Sequence, residues 1–232
     1  MPDEDQNQSE EAEIYIKEHK KELIARFADL EKYCPVEHPV SLFMAGSPGA
    51  GKTEVSKRLI EHFSEGAPVR IDADDIREMF PSYTGANSHI FQSASTIGVN
   101  KLFDYVLDKK LNVILDGTFA YGRAMENIER SLNRDRRVIV YYLFQDPAVA
   151  WKFTKIREET EGRRVSREVF TNSFLQAQEN VNKAKELFSE KIELNIIIKD
   201  FEKNYEKVYL NVERIDKYLP KVYTKEELEK TI

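Results

Sequence analysis

The chain has 232 residues, 41% of them hydrophobic and 33% charged, enough to bury one sizeable core beneath a well-charged surface. Its net charge of −6 argues against a broad nucleic-acid-binding face or a membrane-surface role, and points to a small anionic substrate held by a few arginines. A single cysteine, Cys34, excludes an intramolecular disulfide, and the scattered histidines (His19, His38, His62, His89) build no zinc site with it. No apolar run nears the roughly 20 residues that cross a bilayer, and the acidic start, Met1 to Asp5, lacks the parts of a signal peptide. The expected location is the cytoplasm.

Residues 1–11, acidic and rich in Gln and Ser, read as a mobile tail. Residues 12–34 read as one helix packed on the core, with Ile16, Leu23, Phe27 and Leu30 on its buried stripe. Pro35 and Pro39 end it and lead into an apolar strand, Val40 to Ala45. A glycine-rich loop follows, then a helix with Val55, Leu59 and Phe63 on one face. Residues 68–71 form a second strand that ends at Asp72, Asp74 and Asp75. The next helix carries Phe91, Ala94, Gly98, Leu102 and Val106. A third strand, 112–115, meets Asp116-Gly117-Thr118. Helix 121–134, strand 138–144, a helix from Pro147, helix 168–189 and strand 192–198 continue the alternation. In the undecided tail, Thr224 and Glu227 have the spacing of a capping box.

Strands alternating with helices predict an α/β domain over 35–232. Its mostly parallel central sheet is flanked by helices, with an N-terminal helical extension.

Gly46-Ser47-Pro48-Gly49-Ala50-Gly51-Lys52-Thr53 matches G-x-x-x-x-G-K-[ST] at every fixed position, between a strand and an amphipathic helix. Glycines let successive backbone N–H groups turn toward phosphate oxygens, and the helix start adds partial positive charge. In such a loop Lys52 reaches the β- and γ-phosphates of a nucleoside triphosphate, and the Thr53 hydroxyl ligates Mg²⁺. ATP or GTP is therefore the expected nucleotide.

Ligands of open α/β sheets lie outside the carboxyl ends of the strands, where Asp72, Asp74 and Asp116 fall. Asp74 suits the base that takes a proton from an acceptor hydroxyl. Asp116, after Val113-Ile114-Leu115, has the look of a Walker B acid that orders Mg²⁺, directly or through water. The plainer roles are helix capping for Asp72, Asp74 and Asp75, and a turn at 116–118. Further on, Arg157, Arg163, Arg164 and Arg167 crowd around Gly162. They read as a lid that brings cations to a transferring phosphoryl group, or as a solvated loop paired with Glu158, Glu159 and Glu161. His89 and Trp151 read as packing or surface residues, and residues 83–87 as a loop or the lining of an acceptor pocket.

With these residues in view, the chain resembles the zeta toxin family, P-loop kinases of bacterial toxin–antitoxin systems. The likeness runs over residues 38–200 and rests on the loop at 46–53, Ile71-Asp72-Ala73-Asp74, the acid-Gly-Thr element at 116–118 and the later arginines. It implies phosphorylation of a hydroxyl of UDP-N-acetylglucosamine by Mg-ATP or Mg-GTP, with a possible antitoxin as protein partner. Asp74 matches the family's catalytic base and Lys52 its phosphate-loop lysine. Arg157 matches the first phosphate-binding arginine, and Arg163 or Arg164 the second. Asp72, Asn100 and Thr118 fall on the substrate side. The chain departs from the family pattern there: Asp116 stands for a glutamate, Asn100 for an acid and Phe119-Ala120 for an arginine, and the loop between the two arginines is shorter. Two other readings fit the same residues: a P-loop kinase for another alcohol (a nucleic-acid end, an antibiotic or a metabolite), and a nucleotide-switched binding module that docks through the first helix.

Overall fold

The computed structural model describes residues 2–120, 123–200 and 205–232. Five strands form a parallel sheet: β1 (Val40–Ala45), β2 (Val69–Asp72), β3 (Val113–Asp116), β4 (Arg137–Phe144) and β5 (Ile192–Asp200). A sixth, β6 (Tyr205–Tyr209), adds antiparallel at the edge, in the order β2-β3-β1-β4-β5-β6. The parallel strands lie within a residue or two of their expected places. The edge strand was not expected, because a half-exposed antiparallel strand lacks the continuous apolar run that marks a buried one.

Side-chain alternation splits the sheet between two cores. Leu42 and Met44 of β1 pack with Ile114, Leu143, Ile197 and Val55, the last on α3 (Lys52–Ile60). Phe43 and Ala45 face the larger core, where α5 (Gln92–Asp108) supplies Leu102, Phe103 and Val106 and α8 (Arg167–Phe188) supplies Phe170 and Phe174. The expected stripe of α5, from Phe91 to Val106, is buried throughout. The short α6 (Ala124–Leu132) and α7 (Pro147–Glu161) lie between strands, and α9 (Lys225–Thr231) closes the described chain. The expected capping box opens α9: Thr224 Oγ1 accepts from Glu227 N at 3.2 Å, and Glu227 Oε2 accepts from Thr224 N at 2.9 Å. Residues 121–122 of the expected helix 121–134 lie outside the described residues. Among the described residues, no helix is long and apolar enough to cross a membrane.

The N-terminus corrects two expectations. The supposed mobile tail is helical from Pro2, in α1 (Pro2–Glu18). Proline suits the first turn, the early acids suit the positive helix end, and Glu13 accepts from Ser93 of α5. The single helix at 12–34 is instead two, broken at His19, with α2 (Lys20–Phe27) as the second. Ala12, Ile16, Leu23 and Ala28 join the main core. Because α2 stops at Phe27, Leu30 leaves the stripe and is 41% exposed.

Candidate active site

The loop between β1 and α3 curls because three of its glycines take positive φ, among them Gly49 at 73° and Gly51 at 84°. A Cβ on Gly49 would overlap the carbonyl oxygen of Ala150, a backbone atom of α7 that cannot rotate away. Gly49→Ala is therefore expected to lower stability by roughly 2–3 kcal/mol, read as an earlier midpoint in urea. Gly51 caps α3 with no side-chain bond, so the first N–H groups of that helix have no capping side chain and suit an anion. Lys52 Nζ donates to the carbonyls of Gly46 at 3.0 Å and Ser47 at 2.7 Å. Burial pulls its amine down to about 8, although Asp116 and Asp72 nearby favour the charged form.

Beside the loop, β2 and β3 end in register at Asp72 and Asp116. Strand alternation turns Arg70 to the same face as Asp72, and its guanidinium joins both carboxylates. Arg70 Nη2 and Nε donate to Asp116 Oδ2 at 2.7 and 3.0 Å, and Arg70 also pairs with Asp72 and Asp75. Ser56 Oγ of α3 donates to the same Asp116 oxygen at 2.7 Å. Asp72 additionally caps α4 (Ala73–Arg77), accepting from Asp74 N at 2.9 Å. Burial, reinforced by Asp116, pushes its carboxyl up to about 6.

Asp74, on the first turn of α4, faces three guanidinium groups. Its Oδ1 accepts from Arg77 and its Oδ2 from Arg163, while Arg157 Nη2 stands 3.9 Å from Oδ2. The arginines arrive from the other side of the site because Gly162, at φ 71°, ends α7 and turns the chain back toward α8. Arg157 also donates to Glu161 Oε2, at 2.9 and 3.0 Å. Arg164 lies elsewhere: it is 77% exposed, 3.8 Å from Glu158, and does not line the site. Of the two adjacent arginines, the fold brings Arg163 to Asp74. The arginine segment thus divides, part of it turned inward and part paired on the surface as a solvated loop would be.

Loop, carboxylates and arginines line one cavity of about 910 Å³. Phosphate-loop residues from Pro48 to Thr53 open onto it, as do Asp72, Asp74, Asn100, Asp116, Thr118, Arg157 and Arg163. Residues 24–213 match the zeta toxin family profile. The chain belongs to the zeta toxin family. Among solved structures, it is similar to the PezAT chromosomal toxin–antitoxin system of Streptococcus pneumoniae, at 18% identity and a TM-score of 0.65, over 93% of this chain and 85% of that one. It is also similar to the AvrRxo1-ORF1:-ORF2 complex, at 13% identity and a TM-score of 0.63, over 90% of this chain and 70% of that one. The same complex with ATP matches at 13% identity and a TM-score of 0.61, over 91% and 68%. No curated protein is a sequence match. At these identities the likeness is one of fold, a P-loop kinase fold.

In this zeta toxin family member the far side of the cavity mixes amide and hydroxyl side chains with a cation, Arg123, just before α6. Gln92, Thr96 and Asn100 of α5 and Asn127 of α6 line it, with Phe119 at its wall. Phe119 takes φ 61°, packs edge-on against Phe43 at 6.2 Å, and its carbonyl accepts from Asn180 Nδ2 at 3.0 Å. Residues 83–87 do not line the cavity; Asn87 closes their turn by accepting from Thr84 N at 2.9 Å. Trp151 packs against Phe170, and His89 is exposed beside Asp5.

Sequence reasoning passed over Arg70, Arg77 and Lys199. Lys199 lies at the carboxyl end of β5 and lines the cavity, with its amine against Gly51 and 2.9 Å from Glu54 Oε2. The strand-end rule that found Asp116 points equally to Lys199. Period two from Asp72 reaches Arg70, and helical spacing of three from Asp74 reaches Arg77.

Proposed function

We propose that this protein is a phosphotransferase that moves the γ-phosphoryl group of ATP or GTP to a hydroxyl of a small molecule. The observation that carries the reading is the meeting of the Lys52 loop, the Asp74 carboxylate and the inward-facing Arg157 and Arg163 on one cavity. A nucleotide-binding module needs the loop alone; an acceptor-facing carboxylate ringed by cations serves chemistry. UDP-N-acetylglucosamine, implied by the family resemblance, is the first acceptor to test.

In this reading the loop N–H groups and Lys52 hold the triphosphate. Asp74 accepts the acceptor's hydroxyl proton as its oxygen bonds to the γ-phosphorus. The bond to the β,γ-bridging oxygen breaks, and the nucleoside diphosphate leaves with that electron pair. Arg163 and Arg157 offset the charge that spreads over the transferring group. In the free protein Arg163 holds Asp74, so a triphosphate must draw this arginine toward itself to expose the base.

The donor set fits Mg²⁺ carried by the nucleotide. Thr53 offers a hydroxyl at the loop. The bonds from Ser56 and Arg70 land on Asp116 Oδ2, which leaves Oδ1 as the oxygen that would serve the ion, directly or through water. Among the described residues, no three His, Cys, Asp or Glu side chains converge into a metal cage. When bound, Mg²⁺ supplies charge neutralisation at the β- and γ-phosphates.

The decisive experiment is incubation with Mg-ATP and a panel of alcohols that includes UDP-N-acetylglucosamine, read by mass spectrometry for a gain of one phosphate. A second reading, transfer to a different alcohol, is favoured by the amides Gln92, Asn100 and Asn127 on the cavity wall, of which Asn100 stands where the family resemblance implies an acid. Phosphate on another acceptor, with none on any UDP-sugar, selects it. A protein partner acting as antitoxin belongs to the same proposal, motivated by the PezAT neighbour, and co-expression with a genomic neighbour tests it.

The charge state of Lys52 yields a pH prediction. A triphosphate restores the proton that burial weakens, so affinity is full below the free pKa and declines above it. With that pKa at about 8, the apparent Kd for ATP is expected to rise about tenfold between pH 7 and pH 9, measurable by calorimetry. A flat profile over that range would contradict the placement of Lys52 against the phosphates.

A further inference from the structure

Asp74 presents two different oxygens. Oδ2 faces Arg163 and Arg157, which come from the segment around Gly162. Oδ1 belongs to Arg77, three residues along the same short helix and only 4% exposed. Arg77 is held in turn: its Nη2 donates to Gln92 Oε1 at the first residue of α5. Around it Phe80 stacks on Phe91 with ring centres 5.0 Å apart, and Tyr83 meets Phe91 edge-on at 5.8 Å, so the residues joining α4 to α5 are packed in place. Arg77 Nε is buried without a hydrogen-bond partner among the described residues. Burying a guanidinium that is incompletely satisfied is unfavourable compared with an apolar residue of the same size. Core packing therefore does not account for Arg77, whereas the fixed bond to Asp74 does.

We propose that Arg77, anchored by Gln92, is a positioning residue that holds Asp74 by Oδ1, so that Oδ2 alone turns to the acceptor. The proposal rests on the phosphotransfer reading for its consequence and on the side-chain geometry for its substance. Two cationic contacts thereby acquire separate roles. Arg163 is exchangeable, because it sits on the chain reversal at Gly162 and has phosphate as an alternative partner. Arg77 is fixed, because it is buried between α4 and α5 and bonds Asp74 and Gln92 at once. A carboxylate held at one oxygen by a rigid donor loses little orientational freedom when the acceptor arrives, and such pre-orientation favours proton transfer.

The test uses the full chain labelled with ¹³C, with the Asp74 carboxyl signal identified by its loss in Asp74→Asn. The charged groups facing Asp74 are Arg77, Arg157 and Arg163, with Asp72 bonded to its backbone N–H. In Arg77→Met the carboxyl should stay protonated to higher pH than in the wild type, because a cation next to it is lost. For the acceptor found in the panel, kcat should fall about 100-fold in Arg77→Met and about tenfold in Gln92→Leu, with KM for ATP within about twofold. Arg77→Lys, which keeps the charge and loses the fork, should recover part of the kcat. An Asp74 titration identical in wild type and Arg77→Met overturns the proposal, whether or not the wild type phosphorylates anything. So does a shifted titration with wild-type kcat, or a loss confined to ATP affinity. If no acceptor is found, the titration decides the positioning question alone, and the function reading fails separately. If Arg77→Met does not fold, Arg77→Gln, which also removes the charge, carries the titration comparison, and a wild-type titration in it overturns the proposal.

Discussion

Asp74→Asn is expected to reduce phosphoryl transfer by two to four orders of magnitude, the range for loss of a general base, while ATP still binds. Asparagine keeps the shape and one acceptor oxygen, and the side chain of Asp74 is partly solvent-exposed, so stability should change by no more than about 1–2 kcal/mol. Nucleotide affinity should hold or improve, because Arg163 and Arg157 lose a competing anion and turn wholly to the phosphates. The pair of measurements is single-turnover transfer and ATP titration on the same preparation. Full transfer activity would remove Asp74 from the role of base. Joint loss of transfer and binding would recast it as a residue that organises the arginines.

Lys52→Met has the second large expected effect, and it separates function from stability. Transfer should fall by about three orders of magnitude and ATP affinity by at least about tenfold, since a cation beside the β- and γ-phosphates is lost. The nucleotide-free protein should meanwhile become more stable. The Lys52 amine has its pKa lowered from 10.5 to about 8 on folding, so holding it charged costs about 3 kcal/mol at neutral pH. This penalty is present in full below pH 8 and disappears as pH rises from 8 through 10.5. Methionine escapes it but gives up the bonds to the carbonyls of Gly46 and Ser47, for a net gain of about 1–2 kcal/mol at pH 7. Urea unfolding at pH 7 and pH 10 should show that gain shrinking. A variant less stable than wild type at pH 7 would mean that the loop depends on the lysine for its shape.

Much of this architecture was legible because it follows from local rules. The strand from Val40 to Ala45 is continuously apolar, the glycines come at phosphate-loop spacing, and Asp72 and Asp116 fall where strands end. The N-terminal error had a local cause as well. Acidic composition suggested a tail, whereas the early acids suit a helix start, and the helix they begin runs on to Ala12 and Ile16, which pack in the main core. The edge strand Tyr205–Tyr209 escaped notice since Glu206, Lys207 and Val208 are all exposed, a pattern that resembles a loop.

Electrostatic partnership was much less legible. Spacing along the chain could not separate Arg163 from Arg164, because adjacent residues point in different directions once Gly162 has reversed the backbone. Arg70 and Arg77 drew no attention in the sequence, yet both are largely taken out of water in the fold, each bonded to carboxylates of the site.

The amino-acid sequence by itself determined the phosphate loop, the parallel sheet that presents it and the family to which the chain belongs, since all three depend on patterns a few residues long. Only the tertiary structure decided which cation serves which carboxylate. Those pairings join residues from 2 to 145 positions apart, and a cation's partner is set by the direction in which its element enters the site. Sequence distance carries no information about that direction.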